Sequence, residues 1–358
     1  MIHMKEVILE ILRSAVYASS GDNSQPWRFS VKNNKIKVQN LPDRDNPVLN
    51  IGQSGSYIAH GGLLENISLL AKSHGLEAQI KIFPDSSDPN LVATVTLEPK
   101  KTQIDVLYKY IRSRHTNRRP YKDIPLTKDQ AIELLETPRE IALPQGGRVV
   151  LLQTPEERSR AAKAGSSMEQ VILENQELHR LMFKDVLWTK KQNQERVSGL
   201  YIKTMEFALP VKFVFWLASF WPLISRLNKI GLAKFIAKQD ASLYRSGAAM
   251  VGIVMEKAEK EDFVCAGMIA QRLWLKATKL GLAMQPVTAM LFAGRRVRAG
   301  EGNFFSEKHL KIIDKNFSEL ENLFGVGKKE VLAMMFRIGY AKPPSGKTCR
   351  FEPDITWE

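Results

Sequence analysis

Residues 114–119 (RHTNRR), the arginine motif, have the side chains needed to bind a phosphate group. Arg114, Thr116 and Arg118 recur at two-residue spacing, so in an extended segment their side chains point to one side. Guanidinium groups make charge-assisted, often bidentate hydrogen bonds to phosphate oxygens, and a hydroxyl group adds another contact. The spacing therefore predicts a phosphate-binding segment. The alternative is a solvated basic turn after a helix.

Residues 19–29 (SSGDNSQPWRF), the polar loop, gather small hydroxyl and amide side chains directly before an aromatic strand start. These groups could hydrogen-bond a planar heterocycle, or they could only cap and turn the chain. The candidates for ligand contact are Ser19, Ser20, Asn23 and Gln25. A polar ring at this loop and a phosphate at the arginine motif together describe a site for flavin mononucleotide (FMN).

The spacing of apolar residues predicts the elements that must position these motifs. Asn33 and Asn34 separate two strand-like runs and indicate a hairpin. Thr127, with Asp129 and Gln130 after it, indicates the start of a short helix. The predicted helices are 4–18, 54–75, 104–112 and one from 127, and the predicted strands are 27–31, 35–39, 78–83, 91–97 and 331–338.

The chain is basic, with 52 Lys and Arg against 38 Asp and Glu in 358 residues, a net charge of +14. The excess is spread along the sequence, and no recognition helix, zinc motif or RNA-binding signature accompanies it. We therefore expect no nucleic-acid partner. An anionic small ligand or a membrane surface explains the positive charge at least as well as a nucleic acid does. The hydrophobic content of 44% is typical of a globular protein, and the length allows one large domain or two.

The two cysteines, Cys265 and Cys349, match no metal-binding spacing, and the six histidines do not pair at such spacing either. We therefore expect no metal site and no disulfide framework. A protein without a disulfide framework is typical of the reducing cytoplasm. The first 18 residues read as an amphipathic helix and not as a signal peptide.

An internal repeat becomes visible when residues 61–76 are aligned with residues 267–282. Both segments follow the pattern G-x-[LI]-x-x-x-[IL]-x-L-x-A-x-x-x-G-L, which is typical of a buried helix closed by a glycine. Helical amphipathicity alone could place the leucines. The two glycines and the alanine in register favour duplication.

Residues 184–240 have no counterpart in the first copy of the repeat, and their centre, residues 207–224, is almost entirely apolar. Pro210 and Pro222 argue against one straight membrane-spanning helix. The run has too few polar residues to lie exposed in water, so we expect a helical lid packed over the ligand or the core. An interfacial membrane helix, with Trp216 and a basic flank, is the less favoured alternative.

With these residues in view, the chain resembles the nitroreductase family of FMN-dependent oxidoreductases. Residues 19–27 match the family's flavin-contacting loop, and residues 114–118 match its phosphate-binding motif. The repeated helix is similar to its central helix. Residues 336–341, followed by 347–350, are similar to its last strand and C-terminal arm.

The resemblance implies an α+β fold of two degenerate nitroreductase-like halves fused in one chain, each a mainly antiparallel sheet flanked by helices. It implies a first half over 1–104, which donates the flavin loop, and a second half over 105–358, which donates the phosphate motif and carries the lid at 184–240. The loop expected in the second half, at 136–148, lacks Gln-Pro-Trp, so one flavin site is complete and the other erased. This pattern resembles the fused, Acg-type branch of the family. It implies a monomer or a loose dimer of such chains.

The resemblance also assigns further cofactor contacts. In the family, a loop after the central helix offers backbone N–H groups to flavin N5, and a C-terminal arm contacts the phosphate. The positions that match here are Pro286, Val287, Thr288 and Ala289 in the loop and Lys347 and Arg350 in the arm.

The implied activity is two-step redox chemistry on FMN, in which a nicotinamide donor passes hydride to N5 and a nitroaromatic, quinone or similar acceptor then takes it. The cofactor carries the chemistry, so no protein acid or base is required as a catalytic residue. Two alternatives stay open. One is a flavin-sequestering protein with little turnover, in which the lid excludes the nicotinamide. The other is a peripheral membrane oxidoreductase anchored through the apolar segment.

Overall fold

The computed structural model describes residues 2–101, 103–143 and 146–358. Its α-helices are α1 (Ile2–Ala15), α2 (Ser54–Ser73), α3 (Lys128–Leu135), α4 (Pro155–Glu174), α5 (Gln176–Lys184), α6 (Lys190–Arg196), α7 (Leu209–Leu217), α8 (Trp221–Asn228), α9 (Leu232–Arg245), α10 (Lys260–Lys279), α11 (Ala289–Arg298) and α12 (Glu307–Leu323). Its strands are β1 (Trp27–Lys32), β2 (Lys35–Asn40), β3 (Leu76–Ile82), β4 (Leu91–Pro99), β5 (Gly147–Leu152), β6 (Val186–Leu187), β7 (Leu200–Tyr201), β8 (Ala249–Met255), β9 (Ala283–Pro286), β10 (Val331–Gly339) and β11 (Ile355–Trp357).

The predicted strands and helices are present, with one exception. The predicted helix 104–112 is a short 3₁₀ helix, Val106–Tyr110. Its start is fixed by Asp105, whose side chain accepts a hydrogen bond from the Leu107 N–H and also binds the buried Arg272. Because tertiary contacts hold this turn, the chain tightens here and does not continue as an α-helix. The second-half stretch 136–148 includes Pro144 and Gln145, which lie outside the described residues.

The two main sheets have the same strand order. The first contains β1-β2-β4-β3 and the second β5-β8-β10-β9, and all these neighbours are antiparallel. In each sheet a twenty-residue helix, α2 or α10, lies in the chain between the second and third strands. The first sheet has a fifth strand from the other end of the chain. Strand β11, near the C-terminus, pairs with β1 in parallel, with Phe29 opposite Ile355.

Helices α2 and α10 pack against each other in the centre of the main core. The first and the last residue of α10 each lie 206 positions after the corresponding residue of α2. A glycine with positive φ follows each helix, Gly75 at +70° and Gly281 at +72°. Their contact is partly polar. The buried Glu65 pairs with Arg272 at 2.7 Å, and Gln271 donates to Asn66 at 2.8 Å.

The stretch between α5 and β8 is a helical excursion that also holds the small parallel pair β6–β7. Pro210 and Pro222 lie in the first turns of α7 and α8, so the prolines break the apolar run as expected. The predicted burial of this run holds for Ala218 and Ile224 and is wrong for most of its large side chains; Leu209 and Phe213 are 83% and 59% exposed. Contacts to α4 hold α8 and α9, whereas α7 has no buried residue. In the part of the chain described here, every helix is too short or too polar to cross a membrane.

Candidate active site

The arginine motif lies along strand β9. Thr116 forms an isolated parallel bridge with Met284, and the Asn117 N–H donates to the Met284 carbonyl oxygen at 3.0 Å. The segment is thus extended against β9, the strand that directly follows α10. Arg114 is buried, whereas Thr116 and Arg118 are half-buried.

The Arg114 side chain reaches Tyr17, two residues before the polar loop. Its guanidinium donates to the Tyr17 carbonyl oxygen at 2.9 Å and lies 4.5 Å from the centre of the Trp274 ring. Burial, followed by repulsion from the charge of Arg350, lowers the pKa of Arg114 to about 9. Its buried Nε atom has no hydrogen-bond partner among the described residues.

Arg350 reaches the same place from the C-terminal arm (residues 347–357). It donates to the Asn23 side-chain oxygen at 2.5 Å and to the Thr348 hydroxyl at 2.8 Å, and its guanidinium lies 5.9 Å from the Tyr17 ring. Burial lowers the pKa of Arg350 to about 10. Its Nε atom is also buried without a partner in the described part of the chain.

These two arginines form a cationic cluster. Within the described ranges, no carboxylate oxygen lies within 4.0 Å of Arg114 or Arg350. Arg112 adds a guanidinium 5.2 Å from the Tyr17 ring. The pKa of His115 is lowered by burial first, and then by the positive charges of Lys347 and Arg114. A cluster of this kind suits a multiply charged anion such as a phosphate.

The polar loop has a strained backbone that hydrogen bonds hold in place. Asp22, Asn23 and Gln25 have φ of +43°, +60° and +50°, a region that non-glycine residues rarely adopt. The Ser20 hydroxyl accepts a hydrogen bond from the Gln25 N–H at 3.0 Å, and Ser19 is half-buried.

The Asn23 and Gln25 side chains are engaged within the protein. Asn23 donates to the Val197 and Cys349 carbonyl oxygens at 2.7 and 3.0 Å. Gln25 is fully buried, and its oxygen accepts from the Phe351 N–H at 2.9 Å. These amides therefore fasten the C-terminal arm and the helical excursion to the loop, which makes them positioning groups in this structure.

Arg118 has different neighbours from Arg114. Its guanidinium donates weakly to the Thr204 carbonyl and hydroxyl oxygens, at 3.3 and 3.4 Å. Burial lowers its pKa, while the nearby Tyr244, Asp22 and other groups act in the opposite direction. Arg118 thus lies where the excursion meets the arginine motif, and it shares none of the hydrogen-bond partners of Arg114.

The segment predicted to face the ring, residues 286–289, is partly committed to the sheet. The Val287 N–H donates to the Met335 carbonyl oxygen at 2.8 Å and is not free for a ligand. Thr288 and Ala289 stand at the start of α11, and in the described structure their N–H groups have no acceptor. Lys347 is exposed, and its carbonyl oxygen accepts from Asn193 at 3.4 Å.

Sequence reasoning missed two aromatic residues, Tyr17 and Trp274, against which the arginines pack. It also missed an acidic pair on α4 and α9. Burial and the charge of Asp240 raise the pKa of Glu169 to about 8, and burial raises that of Asp240 to about 6. Trp274 lies inside the repeated helix, so its position carried a signal, whereas the acidic pair is made only by helix packing.

Comparison with known proteins places this architecture in a family. The protein "Uncharacterized protein MT1398" of Mycobacterium tuberculosis is 24% identical over 94% of this chain, which spans 46% of that protein's length. "Putative NAD(P)H nitroreductase Rv3131" of the same species is 26% identical over 80% of this chain and 77% of its own length. A nitroreductase with bound FMN from Bacteroides fragilis aligns with 69% of this chain and 94% of its own, at 11% identity and a TM-score of 0.36, too low a likeness to bear on ligands. The sequence model of the nitroreductase family matches residues 111–340, and the chain belongs to that family.

Proposed function

We propose that this chain is an FMN-binding oxidoreductase with one flavin site, formed by the polar loop, the arginine motif and the C-terminal arm. The observation that carries the proposal is the pair Arg114 and Arg350, a buried and a half-buried cation whose buried Nε atoms have no partner and which have no carboxylate within 4.0 Å in the described residues. Burying cations without a counter-ion is costly. A bound phosphate would satisfy both the charge and the free donors.

Other groups fit the rest of the cofactor. The free N–H groups of Thr288 and Ala289 stand at the positive end of α11 and can donate to the flavin ring. When bound, FMN supplies the hydride-transfer chemistry. The protein's part is to hold the phosphate through Arg114 and Arg350, and to place N–H donors where negative charge develops on the ring. Thr116, Arg118 and Lys347 remain candidates for further contacts.

The donor we propose is a reduced nicotinamide, and the acceptor a nitroaromatic, a quinone or a similar electron-poor molecule. The name of the Rv3131 relative supports the donor class. We propose the cytoplasm as the location of this chain.

We also propose that the chain is a fused pseudo-dimer with halves at 1–104 and 105–358. The common strand order of the two sheets and the 206-residue offset of α2 and α10 support duplication. In an ordinary family dimer the loop and the arginine motif come from different subunits. Here Arg114 of the arginine motif contacts Tyr17, two residues before the polar loop, and Arg350 of the C-terminal arm contacts Asn23 within it, which supports this assignment within one chain.

A second candidate function is flavin sequestration. It is favoured by the part of the excursion that contacts site residues: Val197 accepts from Asn23, Gly199 donates to the Asp22 carbonyl at 2.9 Å, and Thr204 accepts from Arg118. A lid of this kind would restrict access of a nicotinamide. Anaerobic reduction separates the two functions, because a yellow protein that NADH and NADPH do not bleach is a sequestering protein.

The FMN proposal is tested by comparing FMN with riboflavin, which lacks the phosphate. The variants Arg114→Ala and Arg350→Ala should each weaken FMN binding by roughly tenfold to 100-fold, because a charge-assisted hydrogen bond contributes about 1.5–3 kcal/mol. Riboflavin binding should change little. Lys35→Ala, an exposed residue of the β1–β2 hairpin, is the matched control for loss of one positive charge. Equal losses for both ligands would remove the phosphate assignment, and a protein that binds neither ligand would refute the flavin function.

A further inference from the structure

We propose that residues 207–239, the apolar-basic surface, dock this protein onto an anionic lipid bilayer. The inference rests on exposed side chains and charge, and it is independent of the FMN proposal. The surface contains α7, α8 and most of α9.

The apolar side chains of this surface are turned to solvent. Of the fourteen large hydrophobic side chains that are exposed in the described structure, nine fall within this surface. They are Leu209, Val211, Phe213, Val214, Trp216, Phe220, Leu223, Ile230 and Phe235. Exposure on this scale within one segment marks an interaction site and is unusual for a protein surface that faces only water.

The polar groups of the same surface are cationic. Residues 207–239 contain no Asp or Glu and five basic residues. These are Lys212, Arg226, Lys229, Lys234 and Lys238, all of them exposed and without an ion-pair partner within 4.0 Å in the described residues. Lysines beside an apolar face can keep their charged ends at lipid headgroups while their stems lie along the acyl boundary.

A lipid bilayer fits this chemistry better than a second copy of the chain. Two copies that met through this surface would bring five positive charges from each side together, and like-charge contacts disfavour association. An anionic bilayer offers hydrocarbon to the apolar side chains and negative headgroups to the lysines. Trp216 and Trp221 fit the same boundary, where tryptophan is enriched.

Other side chains of the same stretch, together with α5, anchor the surface to the protein body. Ile224 of α8 is 1% exposed, and the His179 side chain contacts the Ala218 carbonyl oxygen at 2.8 Å. Phe215, on the inner side of α7, packs against Phe183 and Phe207 at ring distances of 5.0 and 5.1 Å. These contacts hold α7 and α8 against the protein body while their exposed side chains stay in solvent.

The test is flotation of the 358-residue chain with vesicles. We expect binding to equimolar phosphatidylcholine and phosphatidylglycerol at low salt, and much weaker binding to phosphatidylcholine alone. The double variant Phe213→Ser/Trp216→Ser should lower the partition coefficient roughly 100-fold, because it removes two large apolar side chains from the interface. Lys229→Gln/Lys234→Gln/Lys238→Gln should lower it roughly tenfold or more on anionic vesicles only.

The matched control is Ile104→Ser/Ile132→Ser, two exposed apolar residues outside the surface, 53% and 58% exposed, which should leave binding unchanged. Absence of flotation with anionic vesicles would overturn the proposal, as would equal losses in the control and the Phe213/Trp216 variant. Light scattering measures whether the chain instead forms a dimer through this surface. A dimer that Phe213→Ser/Trp216→Ser converts to a monomer would assign the surface to self-association and also overturn it.

Discussion

Gly61 of α2 and Gly267 of α10 meet where the two central helices cross. A Cβ atom on Gly61 would overlap the carbonyl oxygen of Val264, and one on Gly267 would overlap the carbonyl oxygen of Ile58. The two contacts are reciprocal, as expected for helices related by an approximate two-fold axis. The absence of side chains at both positions lets the backbones approach closely, and both of the aligned sequence segments have a glycine at this position.

The first prediction concerns this crossing. Gly61→Ala should destabilise the protein by about 3 kcal/mol, because the methyl group forces two packed helix backbones apart. Gly62→Ala is the matched control, since its Cβ would lie at ordinary distances from Gln271 and Ala18, 3.6 and 3.8 Å. The control should be neutral or stabilising by up to about 1 kcal/mol, because alanine favours a helix. Urea denaturation followed by circular dichroism measures both, and equal effects would contradict the close approach.

The second prediction is a stoichiometry of one FMN per chain. Arg114 stacks on Trp274 of α10, and the residue at the equivalent place in α2, by the 206-residue offset, is Ser68. The aromatic support is therefore missing from the other side of the crossing. Flavin released by heat and measured against protein should approach one equivalent. Two equivalents would show that a second site survives.

The third prediction concerns how Asn23 fastens the C-terminal arm. Asn23→Gly keeps the positive φ of +60° and removes the hydrogen bonds to Val197, Cys349 and Arg350. We expect protection of the amides in residues 347–357 to fall by about 2–4 kcal/mol in hydrogen exchange. Asn33→Gly, at φ of +56° in the hairpin turn, is the control and should leave the arm protected. Unchanged protection in both variants would mean that the arm is held by other contacts.

The fourth prediction is a pH dependence that arises from Asp45. Burial raises the pKa of Asp45 to about 6, and the charge of Asp22 adds to this, although hydrogen bonds from the Asn46 N–H and the Ser56 hydroxyl act against it. A raised carboxyl pKa means that the folded state binds the proton more tightly. The contribution of Asp45 to the free energy of unfolding is therefore fully present below pH about 4 and is lost as the pH rises to about 6.

Asp45→Asn should remove that dependence. The variant should match the wild type near pH 4 and exceed it by roughly 2–3 kcal/mol at pH 7, measured by urea denaturation across this range. Asp43→Asn, an exposed residue two positions earlier, should show no such growing difference. A constant difference at all pH values would mean that Asp45 does not titrate in this window.

Much of the fold follows from the sequence alone, because its signals are local. The hairpin at Asn33-Asn34, the helix that begins after Thr127 and the repeated helix around Gly61 and Gly267 each depend on neighbouring residues or on helical periodicity. The same holds for the arginine motif, whose two-residue spacing is recognisable without coordinates. Local patterns were enough to indicate the family.

What only the tertiary structure decided is which distant groups meet. Arg350 lies beside Arg114 because β11 pairs with β1 and carries the C-terminal arm to the polar loop, a pairing that no local pattern encodes. The Gln25 amide, a ligand candidate by type, is used to hold Phe351. The composition of residues 207–224 predicts burial, because the run is almost entirely apolar. Composition does not tell which other parts of the protein cover such a run. Only the packing of α8 and α9 on α4 shows that α7 is left facing outward.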